Sequence, residues 1–171
     1  SCSGALPFNS GNAYQTVNLG AGVFEKSVYF KESSAGNGTL TAADGVRNPG
    51  SFNYSVVAGV GTQLVISSPS MLPSGACSLF DAYLVDAFYN VAPALSDMVF
   101  SLSQSPNLGS YYGNAQCNGS VVSSFTLLQG ASSVSFGYIP SVAGPQNGTG
   151  TASTTTPAIS ANFPISVIAG V

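Results

Sequence analysis

The chain has 171 residues, of which only 5% are charged: Lys26, Lys31 and Arg47 against Glu25, Glu32, Asp44, Asp81, Asp86 and Asp97. An ordinary soluble domain carries roughly 25%. There is no His and no Trp, which withdraws the commonest general base and transition-metal ligand, so no hydrolase triad, zinc site or cofactor is expected. A net charge of -3 with scattered cations offers no basic face to nucleic acid or to an anionic bilayer. The length suits one domain with a sizeable core, and 44% hydrophobic residues is a globular fraction. Mean hydropathy is positive, yet no stretch approaches the roughly 18 to 20 apolar residues that span a bilayer.

Short runs rich in Val, Thr, Ser, Phe and Tyr, separated by Gly, Pro and Asn turns, predict an all-β chain. The first run, Gln15 to Phe24, places Val17, Leu19, Ala21 and Val23 at alternate positions behind a Gly/Asn-rich start. A flexible arm followed by an alternating segment is what a strand needs to insert into another subunit. This makes residues 1–23 a candidate donor strand and 24–171 the head domain; the plain alternative is the first strand of a self-contained sandwich. Further strands are expected at Ser27 to Lys31, Gly38 to Ala42, Asn53 to Ala58 and Thr62 to Ser67. Ser78 to Phe88 reads as a strand, although Leu79, Phe80, Tyr83, Leu84, Ala87 and Phe88 also fit one helical face. Met98 to Gln104, Ser120 to Leu128 and Ser133 to Ile139 follow. Pro145 to Pro157 is rich in Gly, Thr and Ser and reads as a solvated loop. The clearest element is the last, where Ile159, Ala161, Phe163, Ile165, Val167, Ala169 and Val171 alternate with polar or small residues. Pro164 lacks a backbone donor and places part of that strand at a sheet edge or bulge. So many short strands point to a single Ig-like or pilin-like β-sandwich.

Four Asn-x-Ser/Thr acceptors occur, at Asn37, Asn53, Asn118 and Asn147. Three of them, Asn37, Asn118 and Asn147, precede Gly, which reads as an exposed turn where an N-glycan can be attached. Cys2, Cys77 and Cys117 are an odd number. In an oxidising compartment that leaves one bridge and one thiol that is free or pairs between chains. Cys77 with Cys117 is the expected bridge, since both flank Gly-rich loops inside the body of the chain. A start at Ser-Cys-Ser-Gly without Met reads as a mature product after removal of a signal. The expected location is extracellular, at the cell surface.

Candidate chemistry is sparse. Two of Asp81, Asp86 and Asp97 would suit glycoside hydrolysis if their carboxyls stood about 5 to 9 Å apart, but the same residues commonly form turns and caps. Tyr111-Tyr112 in a Gly/Asn-rich stretch offers a stacking platform for sugars, against a role in loop packing. Glu25-Lys26 and Lys31-Glu32 match an isopeptide-forming set no better than a solvated pair. Low charge has its own consequence: carboxylates lose their charge below about pH 4, and a fold with few ion pairs is indifferent to that loss.

The chain as a whole resembles the subunits of the glycosylated thread filaments of acidophilic archaea and, less closely, chaperone-usher pilins. The shared features are small size, all-β layout, low charge, abundant sequons, an N-terminal arm and the alternating Ile159 to Val171 strand. The resemblance implies a homopolymer built head to tail by donor-strand complementation, with a role in adhesion or biofilm. It makes Val17, Leu19, Ala21 and Val23 donor residues and Phe163, Ile165, Val167 and Ala169 the lining of an acceptor groove; the donor register is open, with Leu6 and Phe8 as the alternative inserting pair. Competing readings are a monomeric adhesin or carbohydrate-binding module, and a surface-layer or virion protein.

Overall fold

The computed structural model describes residues 16–28, 30–152 and 158–170. They contain strands and no helix, which settles Ser78–Val85 as a strand, with residues 86–88 in the turn that follows: Leu79 points outward between buried Ser78 and Phe80, a period of two that a helix cannot produce. The chain divides into two compact units, Ser1–Val57 and Ala58–Val171, a boundary well beyond residue 23.

The first unit holds one antiparallel hairpin, β1 (Gly36–Ala42) and β2 (Gly50–Val56). Asp44 shapes its connection by accepting from the Val46 and Arg47 backbone N–H groups at 3.0 and 2.8 Å. No strand forms over the described parts of Gln15 to Phe24 and Ser27 to Lys31. The alternation of Val17, Leu19, Ala21 and Val23 is interrupted because Gly22 takes a φ of 80°, accessible to glycine at little cost, and Val23 N–H closes a turn onto the Gly20 carbonyl.

The second unit is a sandwich of two five-stranded sheets. One has the order β3 (Gln63–Ser67), β5 (Ser78–Val85), β10 (Ser133–Pro140), β7 (Gly109–Tyr112) and β8 (Val121–Val122). The other runs β4 (Leu72–Pro73), β12 (Ile159–Ile168), β11 (Gly144–Ala152), β6 (Met98–Ser105) and β9 (Ser124–Leu127). Inward side chains meet as a chain of rings: Phe163 on Phe80 (5.7 Å), Phe80 on Phe136 (5.5 Å), Phe136 on Phe125 (5.3 Å) and Phe125 on Phe100 (5.1 Å). These contacts cross between the sheets twice and combine large apolar burial with offset or edge-on geometry.

The Gly/Thr-rich tract expected as a loop is strand β11 from Gly144 to Ala152, paired on both sides with β12 and β6. Its glycines answer a packing need. A β-carbon at Gly148 would collide with the Phe163 ring, and one at Gly150 would lie 2.9 Å from Ile66 and 3.3 Å from Leu64. Small residues on β11 thus accept the large ones of its neighbours, the interdigitation that dense cores require.

Candidate functional site

Each carboxylate of the sandwich has a structural task. Asp81 accepts the Ser135 hydroxyl across β5 and β10, and Asp97 accepts the Gln129 backbone N–H at 2.7 Å. Asp86 is buried and pins the turn after β5: Oδ1 accepts from Phe88 and Asn90 N–H, while Oδ2 accepts from Gly59 N–H at 2.8 Å and Asn90 Nδ2 at 3.0 Å. The Asn90 amide and these N–H groups hold its carboxyl down at about 2, against the opposing cost of burial. A raised pKa, the mark of a general acid, is the reverse of this. Among the described residues no cluster of three metal-ligating side chains occurs.

Of the candidate tyrosine pair, Tyr112 is half-buried and Tyr111 is not available to a sugar. Tyr111 is 5% exposed and donates to the Ser103 carbonyl at 3.2 Å. Tyr138 donates to Gln146, and burial pushes its phenol up to about 12. In the first unit Lys26 Nζ donates to the Asn18 carbonyl at 3.1 Å and Glu32 accepts from Ser33 and Ser34 N–H, ordinary polar contacts.

Cys77 and Cys117 are bridged across 40 residues, with Cα atoms 5.8 Å apart. The bridge ties the start of β5 to the connection between β7 and β8, and passes over Gly137, where any β-carbon would strike the Cys117 sulfur. Cys2, Leu6 and Phe8 lie outside the described residues.

The four sequon asparagines are all exposed, but only Asn118 stands in a loop. Asn37 is in β1, Asn53 in β2 and Asn147 in β11, so the turn reading of Asn37-Gly and Asn147-Gly is corrected. The cause is again packing, since Gly38 lies under the Tyr54 ring as Gly148 lies under Phe163.

Donor and acceptor residues fall as follows. Val17, Leu19 and Val23 are exposed (36, 56 and 50%), as is Phe24 at 98%, and Ala21 sits in the turn that closes on Gly20. Phe163, Ile165 and Val167 are buried to 5% exposure or less in the core of their own sandwich, while Ala169 is exposed beyond the end of β12. These side chains line no open groove, because Phe80 and its neighbours already cover them. The open feature of β12 is its edge. β4 pairs only with Val167 and Ile168, and the Ile168 carbonyl accepts from Ser74 N–H on that side. Alternation turns the backbone groups of Asn162, Pro164 and Ser166 to the same edge. Short of Val167 no described strand forms a ladder there, although β3 of the other sheet runs close beside β12, and Pro164 occupies the edge without a donor to satisfy, as edge strands allow.

No protein-family model matches the chain, and no curated protein sequence matches it either. Among solved structures it is similar to a glycosyl hydrolase family 2 member from Bacteroides cellulosilyticus, at 15% identity and a TM-score of 0.51, covering 77% of this chain and 18% of that one. It is similar to a conjugative transposon lipoprotein from Bacteroides eggerthii (11% identity, 60% and 94% covered, TM-score 0.44) and to domains 4 and 5 of the S-layer protein SbsC (14%, 78% and 66%, 0.41). The chain spans less than a fifth of the hydrolase. That first likeness establishes the sandwich fold alone, and the hydrolase's activity does not come with it.

Proposed function

We propose that the chain is a non-enzymatic, N-glycosylated subunit of an extracellular filament, in which the N-terminal segment of one copy adds as a strand to the next. The observation that carries this reading is the edge of β12 whose backbone is laddered only at Val167 and Ile168 by the two-residue β4, with β3 close by but unpaired to it. Strand addition uses such an edge for main-chain bonds and adjacent apolar surface for selectivity. The exposed Val17, Leu19, Val23 and Phe24 supply an apolar segment of the right kind. An arm that docks on a different surface from the one it leaves makes a heterologous contact, which propagates as a fibre. The Cys77–Cys117 bridge supports an oxidising, extracellular location. No helix among the described residues is long and apolar enough to cross a membrane.

Two variants test the reading by negative-stain electron microscopy. Removal of residues 1–23 is expected to abolish fibres and leave a folded monomer, because the core of Ala58–Val171 is closed without that segment. Ser166→Pro removes an edge N–H and spares the ladder to β11, and is expected to do the same. Fibres of normal length from either variant would overturn the proposal.

A further inference from the structure

The sequons of this chain are arranged by the fold in a way their spacing does not disclose. In the hairpin the two motifs Asn37-Gly-Thr39 and Asn53-Tyr-Ser55 lie antiparallel in register, so that Asn37 faces Ser55 and Thr39 faces Asn53. The Thr39 hydroxyl, which the first motif must offer to a transferase, donates instead to the Asn53 side-chain oxygen at 2.7 Å. The same device recurs in the sandwich, where Thr149 of the Asn147 motif donates to Asn162 Oδ1 at 2.9 Å. There the strand is also enclosed, with Asn147 paired to Pro164 on one side and Ser105 on the other. Asn118-Gly-Ser120 differs: it belongs to no strand, both Asn118 and Ser120 are exposed, and its polar contacts are exposed and local, Asn114 Nδ2 donating to Asn118 Oδ1 at 2.9 Å and Asn118 N–H donating to Asn114 Oδ1 at 3.3 Å.

We infer that folding sorts these acceptors into two classes: Asn37, Asn53 and Asn147 receive a glycan only before their strands pair, whereas Asn118 receives one on the folded protein. The inference rests on the reading of the chain as an N-glycoprotein. Transfer forms a bond from the Asn side-chain nitrogen to C1 of a sugar as the C1–oxygen bond to a lipid phosphate breaks. The lipid phosphate leaves with the electron pair, and one amide proton passes to a base. The enzyme must enclose the acceptor's backbone and engage the hydroxyl two residues on, and a ladder strand has neither to give. Prior modification does not obstruct folding. All three strand asparagines face solvent, and Thr39 holds the oxygen of Asn53, so the nitrogen that carries the glycan is left to point outward.

The test offers the full chain, made without glycans, to membranes containing an oligosaccharyl transferase and its lipid-linked donor. In one arm the chain is translated in the presence of the membranes; in the other it is added after folding. Peptide mass spectrometry reads occupancy at each Asn. Translation with membranes is expected to modify all four sites. The folded chain is expected to be modified at Asn118, with Asn147, enclosed on both sides, at least about tenfold lower, as for a site reached only through an open population, and Asn37 and Asn53 in the two-stranded hairpin lower by less. Phe163→Ala, which loosens the sandwich around β11, is expected to raise Asn147 occupancy in the folded arm. Equal modification of Asn37, Asn53 or Asn147 in both arms would overturn the inference, and so would a folded chain refused at Asn118. Native material that carries no glycan at all would instead remove the glycoprotein reading, a result independent of the difference between the arms.

Discussion

Residues up to Val57 hold all three cations and three of the six carboxylates, whereas Ala58–Val171 holds only Asp81, Asp86 and Asp97. The unit with the charges has no buried hydrophobic residue among its described residues. Among its described residues, the ion pair of Arg47 with Asp44 at 2.8 Å is exposed, and such surface pairs contribute little to stability. Among its described residues Phe24, Val46 and Phe52 remain in solvent at 98, 90 and 68% exposure, while Phe30 packs edge-on against Tyr54. A two-stranded hairpin on its own is marginal in water. The sandwich has no cation with which to form an ion pair, yet it buries nineteen residues in a continuous core. Order in this protein follows apolar packing and backbone pairing, and charge has little part in it.

The largest expected effect comes from removing a ring on which both sheets converge. Phe163 is 2% exposed and packs on Phe80, so Phe163→Ala should cost about 3 to 5 kcal/mol, read as a fall in the urea midpoint. Phe52→Ala in the hairpin should stay within about 0.5 kcal/mol. Similar shifts for the two would break the contrast between the units. A smaller effect is expected from Cys77→Ser with Cys117→Ser. The bridge closes a loop of 40 residues entirely within the sandwich, and its loss should cost roughly 2 to 4 kcal/mol. An unchanged midpoint under non-reducing conditions would show that packing alone fixes β5 against the loop carrying Cys117.

These contrasts also explain what the sequence disclosed. Strands whose inward positions are large and apolar, such as β6 and β12, were legible from period two, and Pro164 correctly marked an open edge. Strand β11 was not, because its inward positions include Gly148 and Gly150, whose smallness serves Phe163, Ile66 and Leu64 from neighbouring strands. A pattern that depends on a partner's side chains cannot be read along one segment. Strand β7 is similar, with Gly109 lying under the Tyr138 phenol. The first run failed in the opposite direction: Val17 to Val23 has the alternation, but Gly20 and Gly22 permit a turn that ends it. The cysteine pair was legible because Cys2 lay apart from the body of the chain. The register that opposes the Asn37 and Asn53 motifs was not, since it depends on the hairpin pairing.

Asp86 gives the smallest effect, and among the three carboxylates of the sandwich it is the buried one. Its carboxyl is held at about 2 in the folded protein, from an ordinary value of 3.8. A depressed carboxylate contributes stability that is complete above its unfolded pKa and is lost as pH falls through its folded one. The sandwich should therefore keep its melting temperature from neutrality to about pH 4 and lose stability toward pH 2. Near-ultraviolet dichroism of the buried Tyr111 and Tyr138 reports this unit specifically. Glu32 and Asp44, which backbone N–H groups also hold low, belong to the other one. Asp86→Asn keeps an acceptor but offers an amide where the turn presents donors from Gly59 and Asn90. It should lower the melting temperature at pH 7 and flatten the acid limb, so that variant and parent converge near pH 2. An acid limb as steep in the variant as in the parent would assign the pH dependence elsewhere and leave the sandwich with no use for charge at all.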